Sequence, residues 1–204
     1  MATLERMPQE EMRKHNRNAW ASASAEHHTQ GEAWYARARD IARGLAQKYP
    51  AYPLHTTSLV LAALSPRVSW ERNIAYADKL LRDGESATIP VLGRSKANAV
   101  AAMGGAESVN GPKTSAFAHL IEYPDDANGV CVDTHAINIA LGYVASEKEV
   151  KHYAARVGNS YIAQCYVDVA ADLNVLPSTV QAVTWCYWRD AITGATARHG
   201  DSFQ

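Results

Sequence analysis

Two stretches hold residues whose types and spacing suit chemistry: GPKTSAFAHLI, beginning at Gly111, and VCVDTHAINIALG, beginning at Val130. In the second, three apolar residues run straight into Asp133, Thr134 and His135. A carboxylate beside Cys131 and Val132 is costly to bury unless it is paired or used. Asp133 or Thr134 could cap the following helix by accepting backbone N–H bonds. Alternatively, Asp133 could stabilise a cation that develops during a reaction. His135, in the same first turn, could be a structural hydrogen-bonder, a base or a substrate- or phosphate-binding residue. Lys113 stands twenty positions earlier, in the first turn of a helix that Pro112 opens. A cation there opposes the helix dipole, which is reasonable if a phosphate or a reacting centre is its partner. An exposed lysine on an ordinary helix–turn–helix connection is the plainer alternative.

The segment that delivers Lys113 reads as helix, glycine-rich turn, helix: SKANAVAAM, GGAESVNG, PKTSAFAHLI. Such a hairpin can aim the backbone at Gly111 and Thr114 towards an anion. Arg67, Arg94 and Lys96 could hold phosphate oxygens through charge-assisted bonds. Gln181 and Trp185, one turn apart, could meet a base edge and a base face, although a helix of this pattern usually packs in a core. His27 and His28 lack the spacing of a metal pair and read as surface.

The wider composition narrows the possibilities. At 204 residues with 47% apolar content, the chain can bury a substantial core. A formal net charge of −1 leaves no overall basic footprint, so any nucleic-acid surface must be local. Cys131, Cys165 and Cys186 are too far apart in sequence for a zinc ribbon or an iron–sulfur site, and free buried thiols are expected. No metal or cofactor is implied. The charged first residues lack an apolar leader segment, and no run approaches the ~20 apolar residues of a membrane span. The expectation is a cytoplasmic protein with no membrane partner.

Helix signals dominate. Apolar residues recur at helical spacing in GEAWYARARDIARGLAQKYP (Trp34, Ala38, Ile41, Leu45), while Leu59 to Leu64 is apolar nearly all round and should be central. Ser146 and Glu149 have the spacing of a capping box, followed by Val150, Tyr153 and Val157 on one side. VCV could be a short extended piece. These signals predict an all-α fold of eight or nine short helices. The expected organisation is an N-terminal helical arm (1–30), a helical domain (31–194, with the hairpin about 96–122) and a polar tail (195–204).

Taken together, GPKTSAFAHLI and VCVDTHAINIALG resemble the helix-hairpin-helix DNA glycosylase superfamily, whose hairpin carries G-x-K-T ahead of a V-D-T-H segment. LVLAALSPRVSWERNI and GRSKANAV resemble its upstream helices, with Arg67 where a glutamine often stands; the resemblance covers about Leu54 to Tyr143. It implies a glycosylase-like helical bundle, here without the iron–sulfur loop. It also places Lys113 at the lyase lysine and Asp133 at the catalytic aspartate. The hairpin has one glycine where the family usually has L-P-G-V-G. PSTVQAVTWCYWR is similar to phage and actinobacterial relatives, among them the α-glutamyl/putrescinyl thymine pyrophosphorylases and amino-acid:DNA transferases.

The resemblance therefore implies an enzyme acting on a base flipped out of double-stranded DNA. The leading expectation is thymine hypermodification of the phage type. An amino acid or amine would be transferred to activated (phosphorylated) 5-hydroxymethyluracil. A DNA glycosylase/AP lyase is the alternative, and a non-catalytic DNA-binding helical module is the third reading.

Overall fold

The computed structural model describes residues 5–107, 109 and 111–199. In chain order the helices are α1 (Gln9–Ser22), α2 (Ala25–Glu32), α3 (Trp34–Lys48), α4 (Leu54–Leu64), α5 (Trp70–Asp83) and α6 (Gly93–Met103). They continue with α7 (Pro112–Glu122), α8 (Thr134–Leu141), α9 (Glu147–Ala154), α10 (Arg156–Leu173) and α11 (Pro177–His199). The protein is all-α, and no strand occurs among the described residues. Val130–Val132 is buried and unpaired as a strand, so the extended piece expected there is a connection. No helix among the described residues is long and apolar enough to cross a membrane.

The chain forms two compact units: the residues up to Trp34 together with those from Asp126 onward, and the inserted stretch Tyr35–Asp125. This differs from the arm-plus-domain organisation expected from sequence. In the discontinuous unit α1 packs on α8, α10 and α11, and α2 packs on α11. Met12 is fully buried among Val132, Ile137, Tyr166 and Val180. The N-terminal segment is thus core, because its apolar residues find their partners more than a hundred positions away.

Several local details depart from the sequence pattern. Helix α2 had no amphipathic signal; it starts because Ser24 accepts from the His27 N–H at 3.3 Å, while His27 Nδ1 accepts from the Ser24 N–H at 3.1 Å. His27 Nε2 lies 3.1 Å from Asp190, so this residue is half-buried and engaged rather than a free surface histidine. The capping box of Ser146 and Glu149 is present. Ala155 (ψ 151°) then breaks the chain between α9 and α10, and Val157 is exposed instead of joining Val150 and Tyr153. The expected tail boundary at 195 also moves, since α11 runs to His199. Ala195 and Ala197 favour helix and Gly194 alone does not end it; the rest of the tail lies outside the described residues, as do Ser108 and Asn110 of the hairpin.

In the inserted unit α4 is central, buried from Thr57 to Leu64 and packed against α5, α6 and α7. Its polar groups are matched: Thr57 Oγ1 donates to the Ala42 carbonyl at 2.9 Å, and Asn73 Nδ2 to the Leu61 carbonyl at 2.9 Å. Helix α6 ends in paired bonds, Ala106 N–H to Ala101 and Gly105 N–H to Ala102, with Gly105 at φ 96°. This Schellman arrangement needs a left-handed residue, which explains the second of the two glycines. In α3 the buried face is Tyr35, Ala38, Ala42 and Leu45, so the stripe is rotated from the expected one and leaves Ile41 half-buried.

Candidate functional site

The inserted unit holds the cationic candidates. Gly111 precedes α7 with φ 98° and open space where a Cβ would stand; Pro112 then occupies the first helical position. One residue on, Lys113 Nζ donates to Ser65 Oγ at 3.1 Å and lies 5.7 Å from the centre of the Phe117 ring. Trp70 meets the same ring edge-on at 6.0 Å. Lys113 is thereby held half-buried at the C-terminal end of α4, and Thr114 is half-buried beside it in sequence. Ser65 was not singled out from sequence, although it directly precedes the Pro66 that marks the end of α4.

Ser65 also opens the turn that carries Arg67. Val68 N–H closes this turn on the Ser65 carbonyl at 3.3 Å, and Arg67 adopts φ 61°. Proline followed by a left-handed residue is the pattern of a type II turn, where glycine is favoured. An exposed arginine there stores backbone strain. Arg67→Gly is expected to stabilise the protein by about 1 kcal/mol. A denaturant midpoint that falls instead would show that the arginine itself supports the turn.

Arg94 is exposed and Lys96 half-buried at the start of α6. Residues 35–125 contain eleven Lys/Arg and eight Asp/Glu, a formal +3, whereas the rest of the chain contains nine and thirteen, a formal −4. The near-neutral total therefore conceals a charge asymmetry between the two units.

The acidic candidate belongs to the discontinuous unit. Asp133 is the N-cap of α8, with Oδ1 accepting from the Ala136 N–H at 2.8 Å. The capping role open from sequence is real, and it occupies one of two carboxylate oxygens. Asp133 stays half-buried rather than sealed. Its backbone is fixed from both sides. Asn159 Nδ2 reaches the Val132 carbonyl at 3.5 Å, and Tyr166 Oη donates to the Ala136 carbonyl at 3.2 Å. Burial pushes the Tyr166 phenol far above its ordinary pKa, with the negative charge of Asp133 adding to the rise. Tyr166 is thus a neutral strut and not a proton carrier. Neither Asn159 nor Tyr166 had a local sequence signal, since both reach the Asp133 segment from α10.

His135 is half-buried, with its Nδ1 enclosed and unbonded among the described residues, and its ring meets Trp185 edge-on at 6.1 Å. Trp185 is also flanked by Trp34 (5.5 Å) and by the Arg189 guanidinium (5.0 Å). These neighbours make Trp185 part of a packed aromatic group. Gln181 is buried, 6% exposed. Its place one turn before Trp185 puts both on the inner face of α11.

The three cysteines are buried and unbridged, and burial pushes the Cys165 thiol up to about 11, which removes it as a nucleophile at neutral pH. No group of three His, Cys, Asp or Glu side chains is placed to hold a metal ion among the described residues. Asp133, His135, Gln181 and Trp185 therefore fall in one unit, and Lys113, Arg67, Arg94, Lys96, Gly111 and Thr114 in the other.

No curated protein and no solved structure matches the chain. A family profile described as "Family of unknown function (DUF7178)" matches residues 2–192, nearly the whole length, and the chain belongs to that family.

Proposed function

We propose that this protein modifies a base flipped out of DNA, transferring an amine or amino acid to activated, phosphorylated 5-hydroxymethyluracil. The observation that carries the reading is the state of Asp133. It is capped into place through one oxygen, braced by residues of α10, and left half-buried with a second oxygen for chemistry. Its setting in VDTH, after a hairpin that presents Gly111, Lys113 and Thr114, matches the resemblance to the helix-hairpin-helix glycosylase superfamily.

In the proposed reaction the amine nitrogen forms a bond to the 5-methylene carbon while the bond from that carbon to the diphosphate oxygen breaks. Diphosphate leaves with the electron pair. The methylene becomes electron-poor as it departs, and the Asp133 carboxylate stabilises it and takes the proton released by the amine. Lys113, Arg67, Arg94 and Lys96, all of the inserted unit, are the cations proposed to hold DNA phosphate oxygens. The positive balance of the inserted unit supports that assignment.

A second reading, DNA glycosylase with lyase action, draws on Lys113, which the resemblance places at the lyase lysine and whose Nζ donates to Ser65 Oγ at 3.1 Å. The third reading, a DNA-binding module without catalysis, draws on the cap bond of Asp133 itself.

One experiment separates the three. Phosphorylated 5-hydroxymethyluracil DNA is incubated with the protein and mixed amino acids, and its nucleosides are analysed by mass. The proposed transferase yields nucleosides heavier by an amine substituent, together with pyrophosphate. Abasic sites would overturn it in favour of the glycosylase, in which case borohydride should trap a Schiff base that Lys113→Ala abolishes. Bound but unaltered DNA would leave only the binding module.

A further inference from the structure

His55 has two ring contacts that together determine its charge. Its Nδ1 lies 2.7 Å from Glu122 Oε2, and its Nε2 lies 3.2 Å from the Glu107 carbonyl oxygen. A carboxylate and a carbonyl can only accept, so both ring nitrogens must donate at once. A neutral imidazole carries a single N–H and can satisfy only one of these partners. The geometry is therefore that of an imidazolium.

The placement of the charges makes the same point. His55 is in the first turn of α4, where a cation is disfavoured by the helix dipole. Glu122 is the last residue of α7, where an anion is disfavoured. Helices α4 and α7 run antiparallel, since Lys113 meets Ser65 at one end and Glu122 meets His55 at the other. Each charge opposes its own helix and is offset by the other. The third partner, Glu107, belongs to neither helix; it lies in the connection from α6 to α7, shortly before Gly111.

We propose that His55 is a protonation-dependent clamp on the α6–α7 connection, bonded to Glu107 when the imidazole is charged and releasing it when the ring is neutral. The charged groups around it are Glu122 on α7 and Glu107 in the connection. The Tyr123 phenol bonds to Glu122, and Arg39 of α3 acts on Tyr123. The Glu122 carboxylate holds the imidazole above the ordinary histidine pKa of 6.5, against the opposing effect of burial. A raised folded-state pKa means that the clamp contributes fully below the unfolded value and is lost as pH rises through the folded one. The carboxylate keeps its bond to the remaining N–H, so the Glu107 carbonyl is the contact released.

The test is a pH titration by NMR of the intact protein, following the His55 ring and the Glu107 carbonyl carbon. Both are expected to titrate with one midpoint above 6.5, and Glu122→Gln should move that shared midpoint to lower pH. His55→Gln, which keeps N–H donors without a titrating charge, should make the Glu107 signal independent of pH over this interval. A Glu107 signal that stays flat while His55 titrates would overturn the clamp, as would a midpoint unmoved by Glu122→Gln. Weaker DNA binding above the midpoint is a further consequence that alone rests on the proposed function. The clamp is decided by the Glu107 titration alone, and the proposed function by the nucleoside analysis, so either can fail while the other stands.

Discussion

Asp133→Asn should lower product formation about 10²–10³-fold, the usual loss when one preorganised charge is removed from a reacting centre. The same substitution should leave stability nearly unchanged, because asparagine caps a helix as well as aspartate does. The side-chain oxygen of asparagine can still accept from the Ala136 N–H, now at 2.8 Å from Asp133 Oδ1. Asp133→Ala, in contrast, loses the cap and should cost about 1 kcal/mol of stability as well as activity. The pair of variants therefore separates the cap from the proposed chemical role of the same carboxylate. Mass analysis of nucleosides reads the first role and thermal unfolding reads the second. Full activity in Asp133→Asn would reduce Asp133 to its cap and remove the basis of the proposed chemistry.

Gly31→Ala should destabilise the protein by about 3 kcal/mol, at the upper end of what overpacking costs. A Cβ on Gly31 would stand 2.5 Å from the Val183 backbone nitrogen and 2.6 Å from its Cα. Neither atom can swing aside, because Val183 lies inside α11 and is fully buried. The addition must push α2 away from α11, the helix against which it packs most extensively. Gly44→Ala is the matched control: no atom lies within 4 Å of the added carbon, and the position is mid-helix in α3. That change should stabilise by about 0.5–1 kcal/mol, since glycine disfavours helix interiors. Thermal unfolding of both variants checks the contrast, and equal melting temperatures would contradict the close approach of α2 and α11.

The regular elements were legible wherever local chemistry suffices. The apolar run Leu59 to Leu64 reads as a buried helix and is one. The Ser146–Glu149 box, Pro112 at a first helical position and the glycine pair after α6 all do locally what their spacing implies. Helix α2 was not legible, since its eight residues AEHHTQGE carry no apolar stripe and it is held by packing on α11. Val157 misled because its helical spacing from Tyr153 ignores the break that Ala155 introduces. Gln181, a polar residue, is nevertheless buried in the core face of α11.

For the candidate site, the amino-acid order alone determined which residues are candidates for chemistry. Lys113 in a first turn and Asp133 at the start of AINIALG follow from proline, helix-cap and periodicity signals that act over three or four residues. It equally determined the charge of each segment, including the +3 of residues 35–125. Only the tertiary structure decided what surrounds those residues: Ser65 on Lys113, Tyr166 and Asn159 behind Asp133, and Glu107 and Glu122 on His55. These contacts join positions from 27 to 67 residues apart. They depend on which faces of the helices are buried together, and burial free energy is shared across a core rather than encoded in any short stretch.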